Sequence, residues 1–181
     1  DIRPFRALRF DPTTVGDLAA VVAPPYSEID PAELERLLAR GPVNVVRVDL
    51  PEARHGDEPD DRFRRAARTM AEWRSGAILH KDPHPSIYLY ERTVGMPGAD
   101  GVRRQCGYFA RLRLEAFSAD SGILPGDESS SGAAEDRYRL LRATGVNTSP
   151  IIGLYDDAGH RTEGRIVALS GLTGAGKTQQ I

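Results

Sequence analysis

Two stretches of this sequence combine residue types and spacings that can do chemistry. The first is Gly171-Leu172-Thr173-Gly174-Ala175-Gly176-Lys177-Thr178, a complete G-x-x-x-x-G-K-[ST] pattern. In such a loop the glycines let successive backbone N–H groups curl around a phosphate. The lysine brings a point charge to the outer oxygens, and the hydroxyl holds Mg²⁺. Gly171, Gly176, Lys177 and Thr178 are therefore candidate phosphate-binding residues, with ATP and Mg²⁺ as the implied ligands. The apolar run Arg165 to Leu169 supplies the strand that should precede the loop, but only three residues follow Thr178. Neither the helix whose N-terminus completes the anion site nor a downstream acidic strand end for the metal follows. The expectation is the start of a nucleotide-binding domain cut short, with weak or no nucleotide binding; the plainer reading is a frayed tail.

The second stretch is the loop and helix from Leu124 to Arg142. Asp127 and Glu128 stand beside the hydroxyls of Ser129, Ser130 and Ser131, and Glu135, Asp136 and Arg137 follow. A long Gly/Ser loop between a hairpin and a helix is a usual place for binding residues. Asp127, Glu128 and Asp136 are candidate catalytic carboxylates, able to hold a metal or act as base. Ser129, Arg137 and Asn147 are candidate substrate- or phosphate-binding groups, with Arg137 gripping an anion. The structural alternative is simple: Glu135 and Asp136 suit a helix N-terminus, with Arg139 one turn on.

Other candidates are weaker. His80-Lys81-Asp82-Pro83-His84 places two imidazoles near a carboxylate, but Pro83 breaks the register and no third ligand clusters with them. A solvated loop is the default there, and no metal site is expected. Cys106, the single cysteine, excludes an internal disulfide, and its alternation with Tyr108, Ala110, Leu112 and Leu114 marks it as a small core residue. Asn147-Thr148-Ser149 matches a glycosylation sequon, but Pro150 follows it.

Positioning these groups needs a folded domain, and the composition allows one. Of 181 residues, 40% are apolar and 28% charged, which suits a globular protein rather than a disordered one. The net charge of -2 excludes a general electrostatic affinity for nucleic acid or anionic membrane. No signal peptide or long apolar run is evident, so an unanchored cytoplasmic protein is expected. The basic residues are 22 Arg and two Lys, and one of those lysines is Lys177.

Local patterns name the elements. Ile2 to Phe10 has strand-like composition. Asp30 as N-cap, Pro31 at N1 and Glu33 predict a helix ending at Gly41. Val43 to Leu50, rich in Val and closed by Pro51, reads as a strand. Phe63, Ala66, Ala67, Met70 and Trp73 recur at helical spacing and predict a helix over 61–75, stopped at Gly76. Strands over 86–94 and 104–117 form a hairpin across Gly95 to Gly101. A helix over 135–144 and strands over 151–155 and 165–169 complete the set.

Several of these segments together resemble a bacterial and archaeal family, domain of unknown function 1015. They are Ile2 to Leu8, Val22-Ala23-Pro24-Pro25-Tyr26, Ser86-Ile87-Tyr88-Leu89-Tyr90, Ile123-Leu124-Pro125, Glu135-Asp136-Arg137 with Leu140 to Thr144, Asn147-Thr148-Ser149-Pro150-Ile151, and Gly153-Leu154-Tyr155. They occur in the family's order over residues 1–157. Where the family usually shows His-Glu-x-Thr, this chain has Gly126-Asp127-Glu128-Ser129, which keeps only the chemical type at two positions. The resemblance implies relatives that continue further and carry an Asp-Gly-His-His-Arg stretch, similar to ParB-like nucleotide-using domains. Asp157-Ala158-Gly159-His160-Arg161 echoes it only superficially. The Gly-Lys-Thr tail is foreign to the family pattern.

The resulting expectation is an α/β (α+β) fold with a mixed or largely antiparallel sheet and about three helices, an incomplete domain. Residues 1–157 form the family's N-terminal region, and 158–181 a strand with a truncated loop. Three functions remain open: a site for a small phosphorylated metabolite or nucleotide over residues 122–147, a catalytically silent scaffold or regulatory module, and the start of a nucleotide-binding fusion.

Overall fold

A computed structural model describes residues 1–95, 102–116, 123, 131–154 and 166–169. They contain seven strands: β1 (Ile2–Arg3), β2 (Leu8–Phe10), β3 (Leu79–Lys81), β4 (Tyr88–Gly95), β5 (Val102–Leu112), β6 (Ile151–Leu154) and β7 (Ile166–Leu169). They also contain six α-helices: α1 (Pro12–Val15), α2 (Leu18–Val21), α3 (Pro31–Ala39), α4 (Val46–Asp49), α5 (Asp61–Ser75) and α6 (Ser131–Thr144). The chain divides into two units, each assembled from separate stretches.

One unit takes residues 1–6, 83–128 and 150–181 and holds a five-stranded sheet. β4 and β5 pair antiparallel from Tyr88↔Phe109 to Gly95↔Val102, as their period-two alternation predicts. β1 pairs antiparallel with the end of β5, Ile2 opposite Leu112. β7 lies parallel to β5, from Gly107↔Ile166 to Ala110↔Leu169, and antiparallel to β6. The sheet is therefore mixed. Ala110 is buried and Cys106, Tyr108 and Leu112 are half-buried on the same face, while Leu114 lies past the strand and is exposed. Phe5 and Ser86 exchange two backbone hydrogen bonds, of 3.0 and 2.8 Å, and the Phe5 ring tilts against Tyr88 at 5.0 Å.

The other unit takes residues 7–82 and 129–149. α5 forms because its apolar residues recur on one stripe, and Phe63, Ala66, Met70 and Trp73 are all buried there. They pack with Val48 of α4, Leu79 of β3 and Leu140 of α6, and Phe10 and Val146 flank the cluster. Burying each large side chain contributes about 1.5–3 kcal/mol. α3 starts as its sequence dictates: the Asp30 carboxylate accepts from the Glu33 N–H at 2.7 Å, and Pro31 occupies the first turn. α6 ends at Gly145, whose φ of +66° lets its N–H reach the Leu141 carbonyl at 2.8 Å.

Two predicted elements are corrected, and further short helices are added. Ile2 to Phe10 is not one strand: β1 belongs to the large sheet, whereas β2 pairs with β3 in a separate two-stranded ribbon. Val43 to Leu50 is not a strand but leads into the short helix α4. The reason is the buried Asn44, whose Nδ2 donates to the Ala20 and Val22 carbonyls at 2.8 and 3.0 Å. Its Oδ1 accepts from the Val46 N–H at 3.0 Å, so one amide cross-links two segments and starts a helical turn. Tertiary pairing overrides the β preference of valine. Finally, α1, α2 and α4 accompany the three helices expected. α1 and α2 are one-turn helices capped by Asp11 and Asp17.

Candidate functional site

The described residues of the loop-helix candidate region converge on an acid that the sequence did not single out, Asp49 at the end of α4. Its Oδ1 accepts three hydrogen bonds: from Thr148 Oγ1 at 2.6 Å, Ser149 Oγ at 2.9 Å and Arg137 Nη1 at 3.0 Å. The guanidinium of Arg137 lies over the Tyr26 ring, 4.3 Å from its centroid. The two charged side chains are only 14% and 16% exposed, so this ion pair is far less screened than a surface one. Arg137 also has a buried Nε with no hydrogen-bond partner among the described residues.

Local structure explains the geometry. Arg137 sits on α6, held by Leu140 in the core one turn on. After α6 the Asn147 Oδ1 accepts from the Ser149 N–H at 3.2 Å, an Asx turn that presents Thr148 and Ser149 together. Asn147 thus shapes the turn rather than facing Asp49. Asp49 ends the helical turn that Asn44 begins, and Val48 beside it is buried. A carboxylate closing a valine-rich run was the one available signal for it. It was masked by the strand reading of that run.

Asp136, the neighbour of Arg137, takes no part in the cluster. Both of its oxygens accept from Arg62 Nη2 of α5 at 2.7 Å. Glu135 and Arg139 form the expected one-turn pair, at 2.8 Å, but α6 begins at Ser131, so Glu135 and Asp136 stand beyond its first turn rather than at its N-terminus. Asp127, Glu128 and Ser129 lie outside the described residues, as do Gly171, Gly176, Lys177 and Thr178. Among the described residues no three His, Cys, Asp or Glu side chains group to hold a metal ion. His80 instead approaches Asp82, Nε2 to Oδ1 at 3.7 Å, and Arg9 Nε donates to that same oxygen at 2.8 Å. No helix among the described residues is long and apolar enough to cross a membrane.

A family model described as protein of unknown function (DUF1015) matches residues 2–172. The chain belongs to that family. No curated protein and no solved structure gives a match. The DUF1015 resemblance rests partly on the stretches that build the cluster. Tyr26 closes Val22-Ala23-Pro24-Pro25-Tyr26, Arg137 closes Glu135-Asp136-Arg137, and Thr148 and Ser149 lie within Asn147 to Ile151. Asp49, on which they converge, stands outside all of them.

Chemically, the cluster offers one open carboxylate oxygen and spare donors. Asp49 Oδ2 has no partner among the described residues, and a guanidinium carries five N–H donors, of which Asp49 and Ser149 engage only those on Nη1. Such a pair can accept from a ligand hydroxyl and donate to an anionic group beside it.

Proposed function

We propose that this member of the DUF1015 family binds a small phosphorylated metabolite or nucleotide at the Asp49–Arg137 cluster. Asp49 Oδ2 takes a ligand hydroxyl, and Arg137 faces the phosphorylated end. The observation that carries this reading is the convergence of Arg137 and the Thr148–Ser149 turn on Asp49, with Tyr26 against the Arg137 guanidinium. This arrangement leaves the buried Arg137 Nε without a partner among the described residues. Groups of this kind, polar and mostly buried, are paired unless a ligand or water takes the remaining position.

The test is thermal unfolding of the full chain with ATP, ADP and small phosphate esters, each with and without Mg²⁺. A binder raises the melting temperature by mass action. Under this reading the rise persists in Lys177→Ala and is lost in Asp49→Asn and in Arg137→Met. A rise lost only in Lys177→Ala would move the site to the C-terminal loop. No rise with any phosphate ligand would overturn the proposal and leave the chain as an interaction module.

A further inference from the structure

A second polar site lies on the opposite side of α4. Arg47 and Asp49 are two residues apart, about 200° around a helix, so they leave α4 in opposing directions. Where Asp49 meets Arg137, Arg47 lines a cavity of about 110 Å³ together with Arg54 and Arg65, with Leu38 and Leu50 among its apolar walls. That volume is several times the ~10–15 Å³ needed to admit one water, and well under the ~300 Å³ at which drug-sized pockets begin. It suits a group the size of phosphate.

The three guanidiniums are held differently. Arg47 is fixed by carbonyls alone: Nη2 donates to Leu38 O at 2.8 Å and Nε to Gly41 O at 3.2 Å. Its charge is thus set in place without being neutralised, and its remaining N–H donors stay available. Arg65 is neutralised, donating from Nη1 and Nη2 to the two Asp57 oxygens at 2.7 and 2.6 Å. Arg54 is exposed, and its backbone N–H, not its side chain, holds Asp57 Oδ2 at 2.6 Å. Neither Arg47 nor Arg54 has a carboxylate within ion-pair distance among the described residues. One exposed acid, Glu52, also lines the cavity, and its backbone carbonyl accepts from Arg65 at 2.6 Å. Counting Glu52 and Asp57 against three arginines leaves one net positive charge in a small, partly apolar space.

We infer that this cavity is an anion site for a phosphate group, free or as the phosphoryl end of a small ester, gripped between Arg47 and Arg54. Arginine suits this because its planar fork pairs two phosphate oxygens at once. Arg47 arrives pre-oriented by two carbonyls, so little side-chain freedom is lost on binding.

The experiment is isothermal titration of the full chain with inorganic phosphate and, separately, with glycerol 3-phosphate, at constant ionic strength in a phosphate-free buffer. Saturable binding of at least one ligand is expected, and comparing the two affinities separates the free ion from the ester as the natural occupant. Arg54→Ala keeps the backbone bond to Asp57 and should weaken binding about tenfold, the loss of one charge-assisted contact. Glu52→Gln removes the repelling charge and should tighten binding several-fold. Arg36→Ala removes an exposed arginine that pairs with Glu33 outside the cavity, and should bind phosphate as the unaltered chain does. Absence of binding, full affinity in Arg54→Ala, or an equal loss of binding in Arg36→Ala would each overturn the assignment.

Discussion

Replacing Asp49 by alanine should cost about 3 kcal/mol of folding stability, a figure that follows from what the carboxylate holds. Its Oδ1 is the shared acceptor for Arg137, Thr148 and Ser149. An exposed ion pair would contribute ~0–1 kcal/mol, whereas breaking a fully buried one costs ~3–5 kcal/mol. With the partners 14% and 16% exposed, this pair sits near the buried limit, and water reaching the rim holds the loss to the low end of that range. With a urea m-value of about 2 kcal/mol/M, the unfolding midpoint should fall by about 1.5 M. Asp49→Asn retains an acceptor oxygen and should lose roughly half as much. The assay is urea unfolding followed by far-UV circular dichroism, with Arg137→Met and the double variant closing the cycle. Once Asp49 is gone, Arg137 no longer serves it, so the double variant should fall short of the summed losses by about 1.5–2 kcal/mol. Additivity within ~0.5 kcal/mol would refute a coupled pair and remove the basis for a positioned Asp49.

Other outcomes follow from the same structure. Asn44→Ala orphans the buried Val46 N–H and two partly buried carbonyls, and should cost about 2–4 kcal/mol in the same urea assay. Phe63→Ala, in the core between α4, α5 and α6, should lose about 3–5 kcal/mol, read from the melting transition. Asp57 is held down to a pKa of about 2, first by its hydrogen bonds from Arg65, from an ordinary 3.8. A folded-state pKa below the unfolded one gives stability that is complete above pH ~4 and fades as pH falls toward 2. Asp57→Asn should therefore flatten that part of the acid limb in a pH series of melting temperatures. Asp30→Ala removes the cap of α3 and should cost ~1 kcal/mol.

Elements that satisfy themselves locally were legible in the sequence. α3 carries its own cap, first-turn proline and apolar stripe, and α5 carries a full helical period, so both stand where the residues place them. The β4–β5 hairpin follows from alternation within each strand. What was hidden depends on partners far along the chain. Asn44 looks like an ordinary polar residue in a valine-rich run until it meets the Ala20 and Val22 carbonyls. Asp49 likewise gains its meaning from Arg137 and the Thr148–Ser149 turn, about ninety to a hundred positions away. Arg137 was recognisable as a candidate. That its charge is answered inside the fold, and that Asp136 turns instead to Arg62, follows from packing alone.

The discontinuity of the helical unit has a consequence for how the chain acquires it at the ribosome. Residues 7–82 emerge first, but Leu140, which completes their core, arrives only after the intervening sheet segments have been made. From Asp82 to Ser149 the delay is roughly 65 residues, or about 3–13 s at ~5–20 residues per second. During that interval the apolar face of α5 that receives α6 stands open. The nascent chain therefore passes through a period in which this apolar face is exposed, as it is not once α6 has docked. Variants that weaken α6 should then reveal themselves as reduced soluble yield before they reveal themselves as a lower melting temperature.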